Sequence, residues 1–166
     1  MSAYELAQLN VGIIRGPMDS PVMAEFAANL ERINALADTA PGFVWRLQTE
    51  QGDATAIRPF ADENQLLNMS VWADLEHLRQ FVYRTAHADF LRRRREWFQR
   101  MSEAYLVLWW VPRGHRPGIV EATHKLETLR SRGPTREAFT FRATFPPPDA
   151  PAGEESRTCA DECPAT

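Results

Sequence analysis

Residues 66–72 read Leu-Leu-Asn-Met-Ser-Val-Trp, and apolar and polar side chains alternate along most of this run. Successive side chains of a β-strand point to opposite faces of its sheet, so alternation with a period of two is typical of a strand. The run therefore predicts a strand with one apolar face and one mixed face. We assign the apolar face to the side that helices cover and the mixed face to the opposite side; the two sets are Leu67, Met69 and Val71, and Asn68, Ser70 and Trp72.

Further strands are predicted on both sides of this run. Residues 43–48 and 105–111 are rich in the β-branched and aromatic residues that strands favour, and residues 4–10 alternate in the same way as 66–72. Residues 138–141 are expected to form a short final strand or an extended segment.

Apolar residues at helical spacing predict one helix over residues 21–38 and a second helix that begins after Asp74 and reaches about residue 101, with a break near Thr85. The order βαββαβ is that of the ferredoxin-like arrangement, an α+β fold with a four-stranded antiparallel sheet and both helices on one face. A stretch over residues 120–130 predicts an extra C-terminal helix.

Composition divides the chain into one domain and a tail. The chain has 166 residues, the size of one ordinary domain, and residues 1–143 contain every predicted element of the ferredoxin-like α/β-barrel domain. Residues 144–166 contain five prolines, five acidic residues and one arginine, which predicts a disordered acidic tail. Both cysteines, Cys159 and Cys163, lie in this tail, so no disulfide is expected in the domain.

Charge and hydropathy argue against several classes of function. The acidic tail accounts for the net charge of −3, so the domain is close to neutral and lacks the cationic field that binds nucleic acid. There is no apolar run of about 18 residues and no signal-peptide pattern, so we expect no membrane association and a cytoplasmic location. The four histidines lack the spacing of a metal site, so no metal is predicted.

Residues 92–95 are four consecutive arginines. Consecutive residues of a helix point around most of its circumference, so these side chains do not form one flat cationic patch. We expect a solvated face, with one or two guanidinium groups lying over Trp97 or Phe98.

The mixed face of the sheet carries the candidate binding residues. The same period of two adds Gln8 and Asn10 from the first strand, Arg46 from the second, and Trp109 or Trp110 from the fourth. Helices on the other side would leave this face exposed, and the same face of a second copy would cover it in a C2 homodimer with a closed chamber. Amides, a guanidinium and indole rings suit a planar, partly polar small molecule.

The sequence resembles the uncharacterised family called DUF3291 over about residues 4–145. The resemblance rests on the run 66–72, on the helix after it with Phe81-Val-Tyr83 and His87, on Arg92-Arg-Arg-Arg-Glu-Trp-Phe98, on Pro41-Gly-Phe-Val-Trp-Arg-Leu-Gln48 and on Leu108-Trp-Trp-Val-Pro112. More distantly, the layout resembles the dimeric α/β-barrel superfamily, which includes the antibiotic-biosynthesis monooxygenases and the haem-degrading monooxygenases.

The superfamily resemblance implies a small-molecule pocket in each protomer. In those proteins an Asn on the first strand and a Trp that closes the third strand commonly line the pocket, and haem-binding members have a His on the following helix. The matching residues here are Asn10, Trp72, and His77 or His87.

The leading hypothesis is an enzyme of the cofactor-independent monooxygenase-like type that oxidises or cyclises a hydrophobic aromatic or polyketide-like substrate. Trp45, Trp72 and Trp110 would hold the ring system, and His87 would accept a proton. Asn10, Asn68 and Arg46 would orient the substrate or stabilise its enolate or phenolate oxygen, and Gln8 and Ser70 would complete the pocket.

Two alternatives remain at this stage. One is haem binding or haem breakdown, with His87 or His77 as the axial ligand. The other is a non-catalytic dimer with a structural role or with a pocket that only binds a ligand.

Overall fold

The computed structural model describes residues 2–49, 54–55, 57, 59–151 and 157–158. Its main sheet has four antiparallel strands in the order β2-β3-β1-β4. The sequence prediction of a ferredoxin-like α+β fold is therefore confirmed. The strands are β1 (Tyr4–Ile13), β2 (Phe43–Arg46), β3 (Gln65–Trp72) and β4 (Leu106–Pro112).

The helices follow the predicted order. They are α1 (Ala24–Asp38), α2 (Leu75–Arg84), α3 (His87–Arg92), α4 (Arg94–Trp97) and α5 (Ile119–Arg132). Asp74 caps α2 by accepting a hydrogen bond from the backbone N–H of His77 at 2.9 Å, and the predicted break falls at Thr85. Among the described residues no helix is both long enough and apolar enough to cross a membrane.

Several element boundaries differ from the prediction. β1 runs three residues beyond its predicted end, because residues 11–13 pair with β3, and the ring of Phe98 lies directly on Gly12. A Cβ at position 12 would be 2.6 Å from Phe98 Cδ1. Residues 20–23 form turns, so α1 begins at Ala24, and β2 ends at Arg46.

The predicted strand over residues 138–141 is reduced to two isolated bridges, of Ala138 with Thr135 and of Phe139 with Leu108. Phe139 exchanges two backbone hydrogen bonds, of 2.8 and 2.9 Å, with Leu108 on β4. A separate short ladder pairs β5 (Ala143–Thr144) with β6 (Arg157–Thr158).

The helices lie on both faces of the sheet, which corrects the predicted face assignment. Trp72 and Leu108 pack with Ala37 of α1 and Phe81 of α2, so the mixed face of the sheet is the one beneath α1 and α2. A period of two shows which side chains share a face, but it does not show which element covers that face.

The apolar face of the sheet is covered by α5. Leu67, Met69 and Val71 pack in one cluster with Leu126 and Leu129 of this helix. All five side chains are at most 5% exposed. The extra C-terminal helix therefore completes the hydrophobic core on the side where α1 and α2 are absent.

The homodimer was expected because one sheet face seemed to lack a cover within the chain. The structure places helices of the same chain over both faces, and Met69, Val71 and Trp109 are at most 1% exposed. An uncovered sheet face therefore no longer argues for the homodimer, which stays a prediction.

Part of the segment that we predicted as tail contacts the domain. Trp110 Nε1 donates to the backbone oxygen of Phe145 at 2.8 Å, and Asp149 accepts hydrogen bonds from Ala3 N and Ser2 Oγ at 2.6 and 2.8 Å. Residues 152–156 and 159–166, with both cysteines, lie outside the described residues, so the disordered tail stays a prediction there.

We predict that α5 is needed for stability. Leu126 is 2% exposed, and Leu126→Ala should lower the free energy of unfolding by about 2–5 kcal/mol, because buried leucines of this kind lose both transfer and packing energy. Val120, on the same helix, is 84% exposed, and Val120→Ala should change it by less than about 0.5 kcal/mol. Urea unfolding measures both, and equal effects would contradict the assigned packing.

Candidate functional site

A cavity of about 350 Å³ lies between the mixed face of the sheet and the helices α1 to α4. This volume is within the range of small-molecule sites. Its lining includes seven of the nine site residues predicted from the sequence: Gln8, Asn10, Arg46, Asn68, Ser70, Trp72 and His87. The cavity is formed within one chain, whereas we had expected a chamber between two copies.

Side chains of β1 and β3 form a hydrogen-bonded row on the sheet side of the cavity. Gln8 Nε2 donates to Asn68 Oδ1 at 2.8 Å and to Ser70 Oγ at 3.0 Å. Trp72 Nε1 also donates to Ser70 Oγ, at 2.9 Å. Both lone pairs of the Ser70 hydroxyl are thus engaged, which leaves its O–H as a donor. The Asn68 oxygen is likewise engaged, so this amide offers its NH₂ group.

Arg46 is held by a carboxylate of α1. Its Nε and Nη2 donate to the two carboxylate oxygens of Asp38 at 2.7 and 3.1 Å. This bidentate pair compensates the charge of the guanidinium and joins β2 to the last turn of α1. Arg46 therefore lines the cavity, but its charge is already matched by Asp38.

Trp45 and Trp110 are not among the cavity-lining residues. Trp45 directly precedes Arg46 and packs in the cluster on the α5 side, while a β-bulge between Phe43 and Trp45 keeps Phe43 on the cavity side. Trp110 packs against Phe139, with ring centroids 6.3 Å apart, and its indole N–H is bonded to Phe145. Of the three tryptophans that we predicted to hold a substrate, only Trp72 therefore lines the cavity.

Trp97 is a second indole on the cavity lining, and the sequence analysis did not select it. The ring of Phe90 stacks on it with centroids 5.4 Å apart. Phe26 of α1 and Phe81 of α2 also line the cavity, so its helix side carries several aromatic rings among aliphatic and amide side chains such as Leu30 and Asn34.

His87 begins α3 and lies half-buried on the cavity lining. Its Nδ1 is 3.3 Å from the backbone oxygen of Val82. Because a carbonyl oxygen only accepts, Nδ1 carries the hydrogen and the lone pair is on Nε2. Burial lowers the pKa of His87 below its usual value, and the hydrogen bond to Val82 opposes this shift.

His77, the alternative histidine, does not line the cavity. Its Nδ1 is 2.8 Å from Asp74 Oδ1, at the cap of α2. His87 is thus the histidine that the structure places at the site. Within the described ranges, no group of three or more His, Cys, Asp or Glu side chains is arranged to hold a metal ion.

The side chains of the arginine run 92–95 point to different surroundings, as we expected. Arg92 pairs with Asp89 at the surface, and Arg93 bonds Glu25 and Glu96 while lying over the ring of Trp97. Arg94 turns into the cavity and lies over the ring of Phe98, 4.8 Å from its centroid. The solvated face and the two stacked guanidinium groups are confirmed, but the sequence analysis did not foresee that one arginine enters the site.

The lowered pKa of His87 predicts a pH dependence of stability. The unfolded chain protonates His87 near pH 6.5 and the folded chain only at lower pH, so stability is full above about pH 6.5 and falls as the pH drops towards the folded pKa. Thermal unfolding between pH 7.5 and 5 should show a shallower loss for His87→Gln than for the natural chain. His124→Gln, at an exposed position on α5, should keep the original slope; identical slopes for all three chains would rule out a lowered pKa.

Comparison with known proteins places the chain in an uncharacterised group. The family model described as "Domain of unknown function (DUF3291)" matches residues 5–155. No curated protein matches the chain. Among solved structures, SnoaB, a cofactor-independent oxygenase from Streptomyces nogalater, is 20% identical, with a TM-score of 0.46, over 70% of this chain and 98% of its own. NE2512, a protein of unknown function from Nitrosomonas europaea, is 11% identical, with a TM-score of 0.44, over 70% of this chain and 95% of its own.

Proposed function

Since the chain belongs to the DUF3291 family, whose description records no activity, we propose a function from its cavity: a small-molecule enzyme of the cofactor-independent monooxygenase-like type, acting on a hydrophobic aromatic or polyketide-like substrate. One observation carries the proposal. The neutral imidazole of His87 lies on the lining of a cavity whose helix side carries several aromatic rings, those of Phe26, Phe81, Phe90 and Trp97 among them. Such a site favours a planar apolar substrate and supplies a base to it.

His87 is the proton acceptor in this proposal. Its Nε2 lone pair is available because Nδ1 donates to Val82, and the lowered pKa keeps the ring unprotonated at neutral pH. The base therefore needs no prior deprotonation. It takes a proton from an acidic C–H or a phenolic O–H of the bound substrate.

The polar row on the sheet stabilises the anion that forms. Ser70 offers its O–H, and Asn68 offers its NH₂ group because its oxygen accepts from Gln8. Asn10 offers its NH₂ group in the same way, because its oxygen faces Arg94. Donors fixed by neighbouring strands are suited to an enolate or phenolate oxygen, since they need no reorganisation when the charge develops.

Molecular oxygen completes the reaction. The substrate anion adds O₂ by electron transfer and C–O bond formation, and a proton from His87 gives a hydroperoxide. Where the carbon began as CH₂, loss of water from the hydroperoxide yields a ketone, so that CH₂ and O₂ become C=O and H₂O. A cyclisation would start from the same anion without consuming O₂, and the assay below separates the two.

We predict that oxygen consumption depends on His87. With a panel of polycyclic aromatic compounds that carry an acidic CH₂ or phenolic OH, His87→Gln should lower kcat about 10²- to 10⁴-fold and change KM little. His124→Gln serves as the matched control and should keep full activity. An oxygen electrode together with mass analysis of the product measures the reaction, and a His87→Gln variant with unchanged kcat would refute the assignment.

Haem binding is the second candidate, and the hydrogen bond from His87 to Val82 is the observation that favours it. Histidines that bind metals usually donate their other ring N–H to a carbonyl or carboxylate, and His87 has this arrangement. A haemin titration tests it: a sharp Soret shift at one haem per chain, lost in His87→Gln, supports haem binding and argues against the oxygenase.

A binding protein without catalysis is the third candidate. It is supported if ligands bind to the protein but none is converted.

A further inference from the structure

We propose that the cavity binds a planar aromatic oxyanion, whose negative oxygen pairs with the guanidinium of Arg94. This inference deepens the proposed function, since it takes the same cavity as the ligand site and names the chemical class of its ligand. It rests on the placement of one arginine, independently of any catalytic step.

Arg94 differs from its neighbours Arg92 and Arg93 because no described carboxylate compensates its charge. Among the residues that the structure describes, no Asp or Glu lies within 4.0 Å of its guanidinium, whereas Arg92 and Arg93 both form ion pairs. Arg46, across the cavity lining, is paired with Asp38. Among the described residues, Arg94 is therefore a partly buried cation on the cavity lining that no carboxylate pairs, whereas Arg142, which also lines the cavity without an ion pair, is exposed.

Among the described residues, the side chain of Arg94 makes two hydrogen-bonding contacts, which use only part of its donors. Nη2 donates to the backbone oxygen of Val11 at 3.0 Å, and Nη1 is 3.5 Å from Asn10 Oδ1. A guanidinium has five N–H donors, so three remain after these two contacts. The remaining donors match a carboxylate or an ionised phenol, since both present lone pairs to a planar fork.

Aromatic rings hold the guanidinium in place. Its central carbon is 4.3 Å from the ring centroid of Tyr105 and 4.8 Å from that of Phe98. Gly12 makes this placement possible, because a Cβ there would be 2.6 Å from Phe98 and 3.2 Å from Arg94 Nη2. The charge is therefore positioned before any ligand arrives, which limits the ordering cost of binding.

Burial of the Arg94 guanidinium strengthens its preference for an anionic ligand. Arg94 is partly buried, and desolvation lowers the pKa of its guanidinium. A desolvated cation without a counter-ion is unfavourable, and an anionic ligand that supplies the counter-ion relieves this cost. A neutral aromatic ligand of the same shape would fill the same volume and leave the cost in place.

Binding of 2-naphthoate and its neutral isostere 2-naphthamide tests the proposal. Isothermal titration of the natural chain should show that the carboxylate binds about 10- to 100-fold more tightly, which is the range of a hydrogen bond to a charged group. Titration with 2-naphthol over a range of pH shows whether a phenolate also serves as the negative oxygen. If it does, 2-naphthol binds tightly at a pH where it is ionised and weakly at a pH where it is neutral. Equal affinity for naphthoate and naphthamide, with no gain for ionised naphthol, would overturn the proposal without any variant.

Substitutions of Arg94 test whether this residue causes the preference for the anionic ligand. Arg94→Met keeps an apolar side chain over the rings and should abolish the preference for the anion, and Arg94→Lys should keep part of it. Arg92→Met, at an exposed position, should leave the preference unchanged. A preference that survives in folded Arg94→Met, as judged by circular dichroism, would assign the effect to another residue and overturn the proposal.

The outcome is distinguishable from that of the proposed function. These measurements are made at equilibrium without turnover, whereas the oxygenase depends on oxygen consumption and on His87. Preferential binding of the anion without any oxygen uptake would support Arg94 as the ligand site and reject the oxygenase.

Discussion

The alternation of side chains along β1 and β3 is the constraint on which the rest of the structure depends. It places Leu9 and Met69 on one face of the sheet and Gln8 and Ser70 on the other. The apolar face requires a dry cover, and α5 provides it with buried leucines. The mixed face cannot be covered in the same way, because its amides and hydroxyl need partners. A row of mutual hydrogen bonds meets that need, and the helices α1 to α4 enclose a cavity above it.

The charged side chains that line the cavity differ in whether a carboxylate pairs with them. Arg46 is matched by Asp38, so it fastens α1 to β2, while Arg94 has backbone and aromatic neighbours and no described carboxylate. His87 is kept neutral by burial. The site thus combines a neutral base with a partly buried cation that no described carboxylate pairs, which suits a ligand whose oxygen is or becomes anionic.

The sequence was sufficient for the order of elements and for most of the mixed face. Period two grouped Gln8, Asn10, Asn68, Ser70 and Trp72 correctly, because side chains of a regular strand must alternate. It failed at Phe43 of β2: counted from Arg46, the period places both Phe43 and Trp45 on the α5 side, but a bulge between them, which leaves no simple signal in the sequence, turns Phe43 to the cavity. It also failed to assign the covering helices, because an amphipathic pattern in α5 does not specify which sheet face it meets.

The role of Arg94 was hidden for a related reason. Four consecutive arginines have the same local pattern, and nothing in that pattern shows that Arg94 is the one that reaches Val11 of β1, next to the Gly12 on which Phe98 packs. A glycine within a strand is a signal of such close approach, but it does not identify the residue that approaches.

Ligands are proposed to bind on the mixed face of the sheet, beneath α1 to α4, and the five tryptophan indole N–H groups report directly on the face that a ligand occupies. Trp72 and Trp97 line the cavity, whereas Trp45 and Trp109 pack on the α5 side and Trp110 contacts Phe145. In an NMR titration of ¹⁵N-labelled protein with 2-naphthoate, the account predicts that the indole signals of Trp72 and Trp97 shift with a common Kd and that those of Trp45 and Trp109 stay in place. Shifts confined to Trp45 and Trp109 would place the ligand on the opposite face and contradict the account.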